Sequence, residues 1–175
     1  MCAIDTITGE IGSAGASCVD LDAVFPSASN DFLSEIIPGK GVINTQANYD
    51  AANQLNARNQ MNAGNTPSQI ISWLIANDVN SNPSVRQYGI VGFTSPGHAV
   101  SAAHTGSNCT SYHSHIKGPN YSIQGNILLG QKVLDSMESR FNREKGSLAC
   151  KLMAALQGAK MIGADTRCTS NGTSS

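Results

Sequence analysis

The sequence predicts an α+β fold in which β-sheets are covered by helices, and three observations carry that reading. Short stretches with apolar alternation, such as GVINTQA and RQYGIVGF, have the period of strands. Longer stretches, such as TPSQIISWLIAND and QKVLDSMESRFN, carry apolar residues at helical spacing. The order along the chain is strands, two helices, strands, two helices, which is the layering of sheets with helices packed outside them.

The first element is a hairpin: CAID, the turn DTITGE and IGSAGASCV, with Gly9 supplying the permissive turn conformation. The small residues Gly12, Ala14, Gly15 and Ala16 suit a strand buried on both faces, or one closely approached by neighbouring backbone. KGVINTQA is the next strand, and the Asn- and Gln-rich segment 48–61 reads as a polar helix. TPSQIISWLIAND has a defined start, with Thr66 as N-cap and Pro67 at the first helical position, followed by Ile70, Ile71, Trp73 and Leu74. Trp73 is expected in the core. RQYGIVGF and HAVSAAH pair around 94–97, YSIQGNI is a short strand, and QKVLDSMESRFN and SLACKLMAALQGAKMIG are helices. The expected shared interior of the sheets is Ile11, Ala14, Ile43, Ile90, Val91, Ala102 and Ile123, with Leu74, Leu134, Leu152 and Leu156 on the covering helices. The stretch 101–126 holds three of the four histidines, and it is expected to form a strand end, a long ordered loop and a second strand.

With 175 residues, the chain fits a single domain over 1–175. Charged residues make up 13% against about a quarter in an ordinary soluble chain, and the net charge is −1. A nucleic-acid or anionic-membrane partner would need a basic footprint that this sequence lacks. No window reaches the roughly 18 apolar residues of a membrane span, and MCAIDTITGE has neither the basic start nor the apolar middle of a signal peptide. A secreted or periplasmic location is nonetheless expected, with any signal already removed. Its basis is five cysteines in a chain poor in charge and rich in Asn, Ser and Gly. No C-x-x-C spacing occurs, so zinc ribbons and thioredoxin-like motifs are excluded. Cys150, inside LACKLMAAL, reads as a buried small hydrophobe, and Cys18 is expected to pair with Cys109 or Cys168.

The motifs AAHTGSNC, GPNYSIQGNIL, NTQA and GADTRC, in an order and spacing that cover nearly the whole chain, resemble the family known as domain of unknown function 1028. The resemblance implies the N-terminal-nucleophile hydrolase superfamily and a four-layer αββα sandwich. In that superfamily the first residue's side chain attacks, and its α-amino group, with a pKa of about 7.7 to 8, serves as base. Removal of Met1 would make Cys2 that residue, although relatives begin several residues upstream and Cys2 falls inside their first strand. The resemblance also implies a further strand after NGTSS, so the first and last strands look shortened. Strands completed by a neighbouring chain, and hence a homo-oligomer, are one expected consequence.

Candidate catalytic residues are therefore Cys2, His104, Thr105 and Asn126, with His104 at a strand end and Asn126 offering an oxyanion donor. Thr45, Gln46, Asp165 and Arg167 are the candidate substrate-binding residues, the last two as a bidentate pair or a carboxylate clamp. His104, His113 and His115 supply three imidazoles, but no further ligand completes a zinc motif, so neither metal nor cofactor is expected. Two functions follow: hydrolysis of an amide or ester in a small-molecule or peptide substrate, or a non-catalytic binding or assembly module on the same scaffold.

Overall fold

A computed structural model describes residues 1–24 and 31–175. Strands β1 (Cys2–Ile4) and β2 (Ile11–Ser13) are followed by a single helical turn, α1 (Leu21–Val24), then β3 (Ser34–Ile37) and β4 (Gly41–Ala47). Helices α2 (Ala51–Asn62) and α3 (Pro67–Ala76) precede β5 (Arg86–Ser95), β6 (His98–Thr105), β7 (Tyr112–Gly118) and β8 (Tyr121–Leu128). The chain continues through α4 (Gln131–Arg143) and α5 (Leu148–Gly158). The strands form two four-stranded antiparallel sheets, ordered β2-β1-β8-β7 and β3-β4-β5-β6. Helices α4 and α5 lie on the first sheet, and α2 and α3 on the second.

Local chemistry sets the helix starts. Asp50 accepts hydrogen bonds from the backbone of Ala52 and Asn53, and Thr66 forms a reciprocal capping box with Gln69 ahead of Pro67. Ser147 caps α5 by accepting from the backbone N–H of Cys150, without a reciprocal bond.

Because strand side chains alternate, each strand feeds two interiors. Ile43, Tyr88, Ile90 and Ala102 turn toward α2 and α3, where they meet Ile70 and Leu74. Met1, Ala3, Tyr121 and Ile123 turn toward α4 and α5, where they meet Leu134, Phe141 and Leu152. Cys2, Ile4, Val42 and Val91 fill the seam between the sheets, with Ile11, Phe93 and Ala99 at its margin. The predicted shared interior therefore divides: Val91 and Ile11 line the seam, and the other predicted strand residues face helices. Trp73, Ile11, Ala14 and Leu156 are half-buried at the edges of these clusters.

Two further expectations are corrected. The stretch after Thr105 is not a long loop, because Tyr112–Gly118 pairs with Tyr121–Leu128 in a tight hairpin. Its polar composition hid a strand from which His115 reaches Thr105 while Ile116 packs under α4 and α5. Cys150 is exposed, since it lies on the outer face of α5, and the buried free thiols are those of Cys2 and Cys109, the latter with Sγ 3.5 Å from the Arg86 carbonyl. Cys18 pairs with Cys168 across 150 residues, which resolves the two expected alternatives. Strand β3 was not expected from the sequence, because SEII has no clear alternation.

Candidate functional site

At one end the seam between the sheets changes from apolar to polar. The β5 positions that face it are Val91, Gly89 and Gln87, read toward the strand's start, and Gln87 is 0% exposed. Its carboxamide crosses from one sheet to the other. The nitrogen lies 3.0 Å from the carbonyls of Ser114 and Gly125 and 3.0 Å from Thr105 Oγ1. The oxygen accepts from Gln46 Nε2 at 2.8 Å and from Asn126 Nδ2 at 3.2 Å. Thr105 Oγ1 also lies 2.9 Å from His115 Nδ1. A residue buried this completely needs every polar atom bonded, and four half-buried side chains gather around it: Gln46, Thr105, His115 and Asn126.

Gln124 stands directly across the β7–β8 ladder from His115. Its oxygen accepts from the Ser122 hydroxyl at 3.1 Å, and its Nε2 is buried without a partner. Gly89 makes room for it, because a Cβ there would lie 2.3 Å from Gln124 Oε1. Two strained residues flank the cluster: Ala47, after Gln46, has φ 69°, and Ile127, after Asn126, has φ 58°. A β-branched residue in that region is an outlier, and such strain gathers at functional sites.

The predicted site residues separate by strand parity. Gln46, Thr105 and Asn126 come together through Gln87. Thr45 and His104 lie on the opposite face of the second sheet, where both pair in register with Tyr88. His104 packs its ring 6.0 Å from Tyr88 and places Nε2 2.9 Å from the Pro83 carbonyl, so it is not drawn to Thr105 and Asn126. The physical reason is the period of two: neighbours in one strand point to opposite faces. Thr45 is buried under α2 and α3, with its hydroxyl unpartnered.

Cys2 lies in the apolar half of the seam with its thiol 3.5 Å from the Gly89 carbonyl, and burial pushes that thiol up to about 12. The Met1 amine donates to Ala14 O at 2.9 Å, and burial lowers its pKa. Asp165 and Arg167 form the bidentate pair, Nε to Oδ1 at 2.9 Å and NH2 to Oδ2 at 2.5 Å. Burial alone would raise Asp165, but Arg167 and the backbone N–H groups of Arg167 and Cys18 hold it below the usual carboxylate range. The pair sits beside the Cys18–Cys168 disulfide, and Thr166 Oγ1 donates to Ile127 O at 3.1 Å. Arg167 is thus anchored one residue from the end of the Asn126 segment.

Sequence reasoning missed Gln87 and Gln124 and considered His115 only as a zinc ligand. The available signal was a polar residue at a seam-facing strand position, two residues from a glycine and four from a valine. His113 bonds to Ser111 O and is not gathered with His104 and His115, and no group of three metal-ligating side chains forms among the described residues.

An α+β sandwich whose seam opens into a carboxamide cluster defines the class of protein by architecture. Within that class the chain belongs to the Family of unknown function (DUF1028), whose family model matches residues 1–174. The crystal structure of protein SPO2555 from Silicibacter pomeroyi, of the same family, superimposes with a TM-score of 0.63 at 19% identity. The match covers 73% of this chain and 56% of that one, so the chain spans just over half the length of that relative. At this identity the likeness shows the fold. No curated protein matches the chain.

Proposed function

We propose that this chain is an exported hydrolase on an N-terminal-nucleophile-like scaffold, cleaving an amide or ester bond of a small molecule or peptide at the polar end of the seam. One observation carries the reading: the carboxamides of Gln46, Gln87 and Asn126 and the hydroxyl of Thr105 are linked within 3.2 Å at the end of an otherwise apolar seam. Carboxamide N–H groups held in place before reaction are the donors that a developing oxyanion needs. Strain at Ala47 and Ile127 supports the same location. The exposed guanidinium of Arg167, held by Asp165 near the end of β8, suits a substrate carboxylate. The Cys18–Cys168 disulfide supports an oxidising compartment. The reading calls on no cofactor. It is tested by turnover of a panel of amides and esters, including N-acyl amino acids. Asn126→Ala and Gln46→Ala should each lower kcat/KM about 10-fold or more with the thermal transition retained. Absence of turnover across the panel would remove the enzyme reading.

The second reading, assembly without catalysis, is favoured by the outer edge of β2. Met1 and Ala14 exchange both backbone hydrogen bonds, so the alternation of an antiparallel ladder turns the N–H and C=O groups of Ile11 and Ser13 outward. They face a groove of about 510 Å³ lined in part by Ile36, Leu152, Met153 and Leu156. The occupant that fits is the same strand of a second copy, as a homo-oligomer. A monomeric mass by light scattering would remove this reading.

A further inference from the structure

The hydrogen-bond polarity of the cluster can be worked out from groups whose roles are fixed. The carbonyls of Ser114 and Gly125 only accept, so the Gln87 atom 3.0 Å from both is the amide nitrogen. That nitrogen donates and never accepts, so at 3.0 Å from Thr105 Oγ1 it leaves the threonine's own hydrogen without a use on that side. Apart from His115 Nδ1 at 2.9 Å, no acceptor for that hydrogen lies within hydrogen-bond distance among the described residues. An Nδ1 that accepts that hydrogen leaves the proton of the neutral ring on Nε2.

We infer that Thr105 and His115 are the nucleophile and general base of this site, with the unpartnered amide of Gln124 as a donor to the oxyanion. The inference rests on the hydrolase reading above and deepens it. A hydroxyl hydrogen-bonded to a neutral imidazole, itself on a rigid strand, is the arrangement that activates an alcohol. Burial first, then the nearby positive charge of Lys117 and His104, holds His115 below its ordinary pKa and so keeps it neutral near pH 7. Among the described residues no imidazole or carboxylate hydrogen-bonds to the Cys2 thiol, whose partner is the Gly89 carbonyl, and burial keeps that thiol protonated. Gln124 is 6% exposed with Nε2 unpaired, a buried donor without an acceptor beside His115 in the ladder. Leaving such a group unmade is costly, which is why an incoming acceptor gains there.

The steps balance. Thr105 Oγ1 adds to the carbonyl carbon as its proton passes to His115 Nδ1, and the carbonyl electron pair becomes an oxyanion bound by Gln124 Nε2–H. Collapse expels the amine or alkoxide, which takes the proton from His115 and leaves the acyl group as an ester on Thr105. Water then adds to that ester with its proton passing to His115, and collapse returns the proton to Thr105 and releases the carboxylic acid.

The experiment combines turnover with covalent trapping, using a p-nitrophenyl ester as acyl donor and peptide mapping by mass spectrometry to locate the acyl group. Expected results are an acyl ester on the peptide that carries Thr105 and at least about a 100-fold loss of kcat/KM in Thr105→Val and His115→Ala. Thr105→Ser should keep turnover, added imidazole should partly restore His115→Ala, and Gln124→Glu should lower kcat with little change in KM. Thermal unfolding of each variant separates lost chemistry from lost fold. An acyl group on Cys2, or turnover in Thr105→Val within about twofold of the parent, overturns the pair while the hydrolase reading stands. No turnover of any amide or ester by the parent overturns that reading. Trapping on Thr105 that disappears in His115→Ala would even then support the activated pair, and no trapping would overturn it.

Discussion

Asp78 offers the sharpest test of what holds the second sheet against its helices. Its buried carboxylate accepts from Asn53 Nδ2 at 2.6 Å and Arg86 Nε at 2.9 Å, and from the backbone N–H groups of Asn80 and Asn82 at 3.0 Å each. Replacing Asp78 with Asn keeps the shape and removes the charge, and it sets an amide among donors. The Arg86 guanidinium, 3% exposed, then keeps one anionic partner among the described residues, Asp50 at 3.8 Å, beside the Asn48 carbonyl at 2.5 Å. Breaking a buried pair from one side costs about 3–5 kcal/mol, a large share of the roughly 5–15 kcal/mol by which a domain is stable. For a chain of this length that is a fall in Tm of roughly 6–20 °C, taking about 2–4 °C per kcal/mol.

The same group makes an acid prediction. Burial alone would raise Asp78, but Arg86, the two backbone N–H groups and Asn53 lower it from 3.8 to about 2. A depressed carboxylate contributes stability above its unfolded pKa and loses it as pH falls through the folded value. Roughly 2 kcal/mol should therefore disappear between about pH 4 and pH 2 in the parent and be missing from the variant's profile. Urea unfolding across that range reads both effects. A variant within about 1 kcal/mol of the parent at pH 7, with an unchanged acid slope, would refute the reasoning. The double replacement Asp78→Leu with Arg86→Met should recover much of the loss, because it leaves no unpaired charge.

Alkylation without reductant should label Cys150 readily and Cys18 and Cys168 only after reduction, with about 2–4 kcal/mol of stability lost on reduction; equal labelling of Cys18 and Cys150 would contradict the pairing. Gly106→Ala would place a Cβ 2.1 Å from the Ser84 carbonyl oxygen, a backbone atom that cannot swing aside. A cost of about 1–3 kcal/mol and a displaced Thr105 are expected, and an unchanged urea midpoint would count against the close approach. Turnover should rise with pH and level off before neutrality, since a base whose pKa is lowered from 6.5 by burial, Lys117 and His104 is already unprotonated there. An acid limb centred above pH 7 would remove His115 as that base.

The sequence by itself determined the fold class, the alternation of strand groups with helix pairs, the start of α3 at Thr66 and Pro67, and the pairing of RQYGIVGF with HAVSAAH, because periodicity and capping are local properties written into consecutive residues, whereas β3 and β7 lack that periodicity. It also located Thr105, Gln46 and Asn126 as polar residues at strand ends. The tertiary structure alone decided which of them meet. His104 and Thr105 are adjacent in the chain and lie on opposite faces of one sheet, whereas Gln87, Thr105, His115 and Asn126 come from four strands in two sheets. The choice of Cys168 over Cys109 as partner for Cys18 likewise depended on where the chain runs across a sequence separation of 150. Parity along a strand can be read from sequence once its register is known, but register is set by packing between distant segments, and the site forms only where two such registers face each other across the seam.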